Sequence, residues 1–307
     1  MSISHKKYTS FEEATGPIEF TFTNDYMFRA IMQENEKVLR GLIGSLLHLK
    51  QEEIKTVTIE NPIKLGATID QKDFVMDIHV TLNNNTRINL EMQVTKSANW
   101  PDRSLSYLCR CFDHLPKGVD YELTYPAIHI GILDFTLFPD DIEFYAHNKL
   151  MNIKSHKIFN DKFMLNVLSL NQIELATEED KLWEIDAWAR LFKTKTWEDI
   201  KMIAKNNEIL TSAAQSIFHM NADDLIREQC RAREEYERHE RTVQKTMQEQ
   251  AEAIAERDET IKEQERIIKN QGNIIKKLEL DNQHFQTQLA QLTASVQALQ
   301  AKGNQQS

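Results

Sequence analysis

The sequence predicts an α/β body followed by one long helix, and three observations carry that prediction. Apolar side chains recur at helical spacing near residues 23–47 and again from about residue 177 onward. Strand-length runs, alternating or wholly apolar, lie between those two regions. From about Asp224 to Lys302 proline is absent, and from Met247 to Val296 an apolar residue recurs every seventh position except at Asn282. The expected organisation is a loosely packed lead-in over 1–22, a body over 23–222, a coiled coil over 223–302 and a disordered tail over 303–307.

The stretch TNDYMFRAIMQENEKVLRGLIGSLLHL places Phe28, Ile31, Met32, Val38, Leu39, Leu42, Ile43 and Leu46 on a helical stripe. Thr23 or Asn24 suits the N-cap, Asp25 suits the positive end of the helix dipole, and Gly41 and Gly44 allow a break without forcing one. EIKTVTIENPI reads as a strand ended by Asn61-Pro62.

Residues 77–94, DIHVTLNNNTRINLEMQV, read as a hairpin. Met76, Ile78, Val80 and Leu82 alternate with Val75, Asp77, His79 and Thr81. Ile88, Leu90, Met92 and Val94 alternate in the same way with Arg87, Asn89, Glu91 and Gln93. Asn83, Asn84 and Asn85 tolerate the left-handed backbone of a short turn. A three-residue loop pairs Asp77 with Glu91; a five-residue loop pairs Asp77 with Gln93 and leaves Glu91 on the diagonal. Either register keeps the two acids on one face, with Cβ atoms about 4.5–8 Å apart.

DRSLSYLCRCFDHLPKG reads as a helix with Leu105, Leu108, Cys109, Phe112 and Leu115 inward and Arg103, Tyr107 and Arg110 outward. YPAIHIGILDFTLF is apolar enough for a central strand buried on both sides. FYAHNKL and FMLNVLSL are further strands. The region beginning TEEDKLWEIDAWARLFKT is helical, with Leu182, Trp183, Trp188, Leu191, Phe192 and Trp197 available for packing. In the terminal repeat, Met247, Ile254, Ile261, Ile268, Ile275, Asn282, Leu289 and Val296 fall on one heptad position, and Leu278, Phe285, Leu292 and Leu299 on the other. That seam fits a homo-oligomer, a dimer through residues 247–299 above all; a solvated helix folding back on the body is the alternative.

Composition narrows the function classes. The 307 residues are 41% hydrophobic and 27% charged, with a formal net charge of -10, which argues against a general nucleic-acid coat but not against a local basic patch. No apolar run approaches the roughly 18 residues of a membrane span, and the N-terminus has no apolar signal region, so a cytoplasmic protein is expected. Cys109, Cys111 and Cys230 make neither a disulfide nor a zinc framework.

Opposed carboxylates in a sheet cost stability unless something neutralises them. A hard divalent cation does so, and Mg²⁺ keeps waters for a phosphate substrate. A solvent-facing strand whose acids are offset by Arg87 or Lys72 accounts for the same spacing.

The stretch KDFVMDIHV…RINLEMQV, preceded by TNDYMFRAIM and followed by DRSLSYLCRCFDHLPKGVDYELTYPAIHIGILDFTLF, resembles the PD-(D/E)XK nuclease family transposases, which are related to the recombination-promoting (Rpn) nucleases. The resemblance runs from about Thr23 to beyond residue 230. It implies a restriction-endonuclease-like core and a Mg²⁺-dependent (Mn²⁺ as substitute) DNA endonuclease of bacterial mobile elements; RNA as substrate stays open. It implies Asp77 and Glu91 as catalytic metal ligands, with the Met92 carbonyl completing the shell. Gln93 stands where many nucleases of this superfamily carry lysine, an amide in place of an ammonium. Asn24 and Asp25 match the family's N-D motif, making Asp25 an accessory acid, and Arg103 with Tyr107 matches its R-x₃-Y pattern. Arg103 and Arg110 are phosphate-contact candidates. His79 follows on Asp77's face, where a lone strand histidine is more often structural. The rival function is a catalytically weak interaction protein that acts through its coiled coil.

Overall fold

The computed structural model describes residues 10–63, 65, 77–97, 99–113, 118 and 120–303, with side chains to residue 297. The expected places of Lys72, Val75, Met76, Leu115 and Leu299, and of the tail 304–307, lie outside these. Two compact units result, Met1–Glu240 and Arg241–Ser307.

In the first unit, β1 (Val57–Ile59), β2 (Ile78–Leu82), β3 (Thr86–Gln93), β4 (Ala127–Leu133), β5 (Tyr145–Lys149) and β6 (Phe163–Ser169) form a six-stranded sheet in the order β1-β2-β3-β4-β6-β5. The middle strands β3, β4 and β6 are parallel, and the outer pairings are antiparallel. The hairpin takes the three-residue loop, with Leu82 opposite Thr86 and Ile78 opposite Leu90. Asn83 and Asn84 hold φ of 51° and 59°, and Asn83 Oδ1 accepts from Lys55 N at 2.7 Å, tying the loop to the chain before β1.

The two sheet faces meet different partners. Ile78, Val80, Leu82, Ile88, Leu90, Met92, Ile130 and Ile132 pack into the main core with Met27, Ile31, Leu42, Trp188 and Phe192. Those partners come from α1 (Asp25–Glu34), α2 (Glu36–Leu47) and α5 (Ile185–Lys193). The helical text after β6 becomes α4 (Glu178–Leu182), α5, α6 (Trp197–Ala204) and α7 (Glu208–Ala222).

The opposite face is covered by α3 (Trp100–Phe112), with a smaller cluster of Trp100, Leu133, Phe135 and Val167. This shifts the expected stripe: Leu108 is buried and Arg110 exposed as expected, but Leu105 is 48% exposed and Cys109 is exposed, while Trp100 and Ser104 are buried and Arg103 turns onto Glu91. The reason is the polar face of β3. A helix covering Asn89 and Glu91 must bring donors rather than leucines.

Three further expectations are corrected. The break in the first helical stretch falls at Asn35, whose side chain caps α2 by accepting from Val38 N, not at Gly41 or Gly44; both glycines stay helical, with Gly41 packed on Ile209 and Gly44 on Leu49. Leu182 is exposed, because the chain turns through Glu184 at φ 59° before α5. The described part of the lead-in is packed: Ile18, Phe20 and Phe22 are buried, and Ile18 N donates to Lys195 O at 2.8 Å.

The body also continues past residue 222. In α8 (Asp224–Gly303), Ile226 and Cys230 are buried in the first unit, and Asn24 Nδ2 donates to Cys230 O at 3.0 Å. In the second unit the same helix leaves Ile254, Ile261, Ile268, Ile275, Leu278, Phe285 and Leu292 of its heptad seam exposed.

Gly131 on β4 makes room for Trp100. A Cβ there would lie 2.8 Å from the indole Cη2. Gly131→Ala is expected to lower stability by about 1–3 kcal/mol through this overpacking, read as a reduced denaturant midpoint; an unchanged midpoint would mean that Trp100 moves freely.

Candidate active site

Asp77 immediately precedes β2, one step beyond the Ile78–Leu90 pair, and so lies opposite Glu91 on β3. Both residues are buried to 8% exposure. Asp77 is fixed through its backbone. Arg29, a buried arginine of α1, donates from Nη1 to the Asp77 carbonyl and from Nη2 to Asn61 O. Asn61 Nδ2 also donates to Asp77 O at 3.0 Å, while Asn61 Oδ1 accepts from His79 N at 2.9 Å. The Asp77 carboxylate meets His79 Nε2 at 3.3 Å. Burial pushes its pKa up, but the His79 hydrogen bond and the charge of Arg29 outweigh that, and Asp77 stays below the usual range.

Glu91 has the opposite balance. Arg103 Nη2 donates to its Oε1 at 2.6 Å and to Gln93 Oε1 at 2.7 Å. Glu91 Oε2 is buried with no hydrogen-bond partner among the described residues. Burial drives the carboxyl up to about 7; Arg103 pulls it down, and the negative charges of Asp77 and Asp25 push it further up.

Beside Glu91 lies a residue that the spacing of acids did not single out. His129 of β4 is fully buried; Asn89 Nδ2 contacts its Nδ1 at 3.0 Å, and its Nε2 faces Glu91 Oε2 at 3.7 Å. An amide nitrogen can only donate, so Nδ1 accepts and Nε2 carries the proton toward the carboxylate. Burial holds the imidazole down at about 4, neutral at physiological pH. A histidine inside a wholly apolar strand text, HIGIL, was the signal available for it.

The remaining site candidates fall in three places. Asp25, at the start of α1 behind the Asn24 cap, is clamped by Arg233 of α8 at 2.6 and 2.8 Å. Burial raises its pKa and Arg233 opposes the rise. Gln93 is tied at both ends, Oε1 to Arg103 and Nε2 to Thr95 O at 2.8 Å. Arg110 lies over the Tyr107 ring, 5.9 Å from its centroid, in a cavity of ≈540 Å³ that Asp77, His79, Arg87, Tyr107 and Cys111 also line. Of the two arginine candidates, Arg103 therefore sits on the acids and Arg110 on the cavity wall. Arg29, Asn61, His129 and Arg233 complete the site, each from an element distant in sequence.

The donor chemistry suits a hard cation: two buried carboxylates that repel one another, one with an orphaned oxygen. Among the described residues no group of three or more His, Cys, Asp or Glu side chains has metal-binding spacing. The fit therefore rests on a carboxylate pair, whose remaining coordination would come from backbone oxygen and water.

A mixed sheet with an acid before one strand and a second acid within its hairpin partner, covered by a helix that follows directly, defines the restriction-endonuclease-like class. Residues 22–247 match the family described as PD-(D/E)XK nuclease family transposase, and the chain belongs to that family. Neither the curated proteins nor the solved structures yield a match. No helix among the described residues is long and apolar enough to cross a membrane.

The Glu91 shift makes a pH prediction. Folded Glu91 keeps its proton up to about 7, against an ordinary 4.5. Its contribution to stability is thus fully present below pH 4.5 and is lost as pH rises through 7. Above that, burying the charged form costs on the order of 3 kcal/mol. In metal-free buffer Glu91→Gln should gain stability over wild type at pH 8 and lose that advantage at pH 4.5, measured by denaturant unfolding. Equal differences at both pH values would contradict the shift.

Proposed function

We propose that this chain is a metal-dependent DNA endonuclease that hydrolyses phosphodiester bonds, in the service of recombination or mobile elements in the bacterial cytoplasm. The observation that carries this reading is the Asp77–Glu91 pair, buried, opposed in register and incompletely neutralised by Arg103. Mg²⁺, with Mn²⁺ as substitute, would be held by Asp77, Glu91 and the Met92 carbonyl. Such an ion, when bound, supplies Lewis acidity and a water of lowered pKa.

The chain's own residues do the rest. Neutral His129, on the neighbouring strand and the same sheet face, points Nε2 at Glu91 Oε2 from 3.7 Å, beyond hydrogen-bond length, and adds no charge beside the carboxylate. Gln93 keeps one amide N–H beyond the bond to Thr95, which suits it to orient an attacking water rather than to deprotonate one. Arg103 and Arg110 supply cationic contacts for the phosphates flanking the scissile bond. Asp25, neutralised by Arg233, keeps α1 and its Arg29 seated against Asp77, and is the accessory acid of the site. The heptad seam of residues 247–299, exposed at its apolar positions from Met247 to Val296, supports self-association as a dimer, which would present two such sites to a duplex. The same seam is what an interaction protein with a silent nuclease fold would use.

Cleavage of supercoiled plasmid separates these readings. The purified chain should nick it with Mg²⁺ or Mn²⁺ and not with EDTA, and both Asp77→Ala and Glu91→Ala should lower the rate by at least about a hundredfold. Absence of cleavage with every metal, or cleavage unaltered in both variants, would favour the interaction protein.

A further inference from the structure

The sheet edge formed by β5 carries a feature that the acid site leaves unused. Beyond β5 and before β6 the chain continues as a hairpin arm. Met151 pairs with Ile158, Phe159 N donates to Leu150 O at 2.9 Å and Asn152 N to Lys157 O at 2.9 Å. Its tip is closed by Asn152 Oδ1, which accepts from Lys154 N and Ser155 N at 2.9 and 3.0 Å. The arm is thus built, yet its large side chains stand in water: Ile153 is 86% exposed and Phe159 81%, and Tyr121 on a neighbouring 3₁₀ turn (Tyr121–Leu123) is 85% exposed. Lys162 Nζ fastens the turn to the base of the arm, donating to Glu122 O at 3.2 Å and Thr124 O at 3.0 Å. Between arm and turn lies a groove of ≈620 Å³ whose lining includes Phe112, Tyr121, Ile158 and Phe159, with Lys162 and the acid Asp161 side by side at its wall.

Charge indicates the occupant. Residues 145–163 carry Lys149, Lys154, Lys157 and Lys162 against the single acid Asp161, in a chain of net charge -10. The acids Asp120 and Glu122 belong to the turn, so the positive charge is concentrated on the arm. Exposed aromatic faces beside lysines suit unpaired bases, which stack on rings while their phosphates meet ammonium groups. A protein-binding patch would ordinarily be depleted of lysine.

We infer that this arm and groove bind an unpaired stretch of nucleic acid, with bases on Tyr121 and Phe159 and phosphates against Lys154 and Lys157. The position relative to the acids is set by α3: its Phe112 lines this groove, while its Tyr107 and Arg110 line the cavity that Asp77 enters. Building on the proposed nuclease function, the arm makes a partly unpaired strand, not a continuous duplex, the preferred substrate.

The test is fluorescence anisotropy of the full chain with a labelled mixed-sequence single strand, in EDTA, beside the same sequence as duplex and as RNA. The single strand should bind more tightly than the duplex. Tyr121→Ala with Phe159→Ala should weaken it by about tenfold or more, as loss of base stacking does. Lys154→Glu with Lys157→Glu should weaken it and flatten its salt dependence. Both pairs are exposed, and unchanged circular dichroism would establish that they fold. Comparable affinities for DNA and RNA support a site that reads only stacked bases and phosphates, and a preference for either still supports the unpaired strand. Binding unchanged in both double variants overturns the inference, as does loss of self-association in sedimentation without loss of oligonucleotide binding, which would make the patch a protein interface. The nuclease reading fails separately: binding through the arm without cleavage in Mg²⁺ would leave the arm standing and the acid site silent.

Discussion

Burying a carboxylate costs several kcal/mol unless a charge or donor is buried with it, and this fold buries Asp25, Asp77 and Glu91 within electrostatic reach of one another. Much of the architecture around the sheet answers that constraint. Arg29 crosses from α1 to the Asp77 backbone, Arg103 descends from α3 to Glu91, and Arg233 reaches Asp25 from α8. His129 sits beside Glu91 on the neighbouring strand in its neutral form, because burial disfavours a second cation there. Trp100 then closes the site's flank, and only a glycine at position 131 leaves space for its ring. Neutralisation remains partial at Glu91, which keeps one oxygen without a partner. That remaining imbalance is the strongest physical reason to read the pair as a cation site rather than as a structural salt-bridge network.

The same constraint explains why the body does not stop at the end of α7. Arg233 and the buried Cys230 make the first turns of α8 part of the first unit, and the family match likewise extends past them to residue 247. A single helix therefore begins as part of the acid site's unit and continues, in the second unit, with its heptad seam exposed.

Elements with a clear period were legible in the sequence. The β2–β3 hairpin, the fully buried β4 and the strands β5 and β6 follow from alternation or continuous apolarity, which local sequence carries. Register was narrowed to two choices, and the three-residue loop prevailed with Asn83 and Asn84 in left-handed backbone and Asn83 bonded outside the hairpin. An apolar stripe alone does not fix the buried face of α3, which buries Leu108 but not Leu105. Over a polar sheet face α3 turns Arg103 inward and leaves Leu105 in water. The break at Asn35 was hidden because a capping asparagine resembles any polar helix position until its side chain is seen on Val38 N. Arg29, Asn61 and Arg233 reach the acids from tertiary distance, and no local pattern announces such partners; the resemblance points to the acids, to Asp25 and to Arg103, but not to these three.

The central claim is that Asp77 and Glu91 together hold a divalent cation. The most direct measurement is calorimetric titration of Mn²⁺ into the full chain at pH 6, in buffers of differing ionisation enthalpy, with Asp77→Ala and Glu91→Ala alongside. Because Glu91 holds its proton up to about 7, binding at pH 6 should be saturable and release a proton, and both variants should lose it. Binding that persists in both variants, or a wild-type chain that takes up no Mn²⁺, would contradict the account.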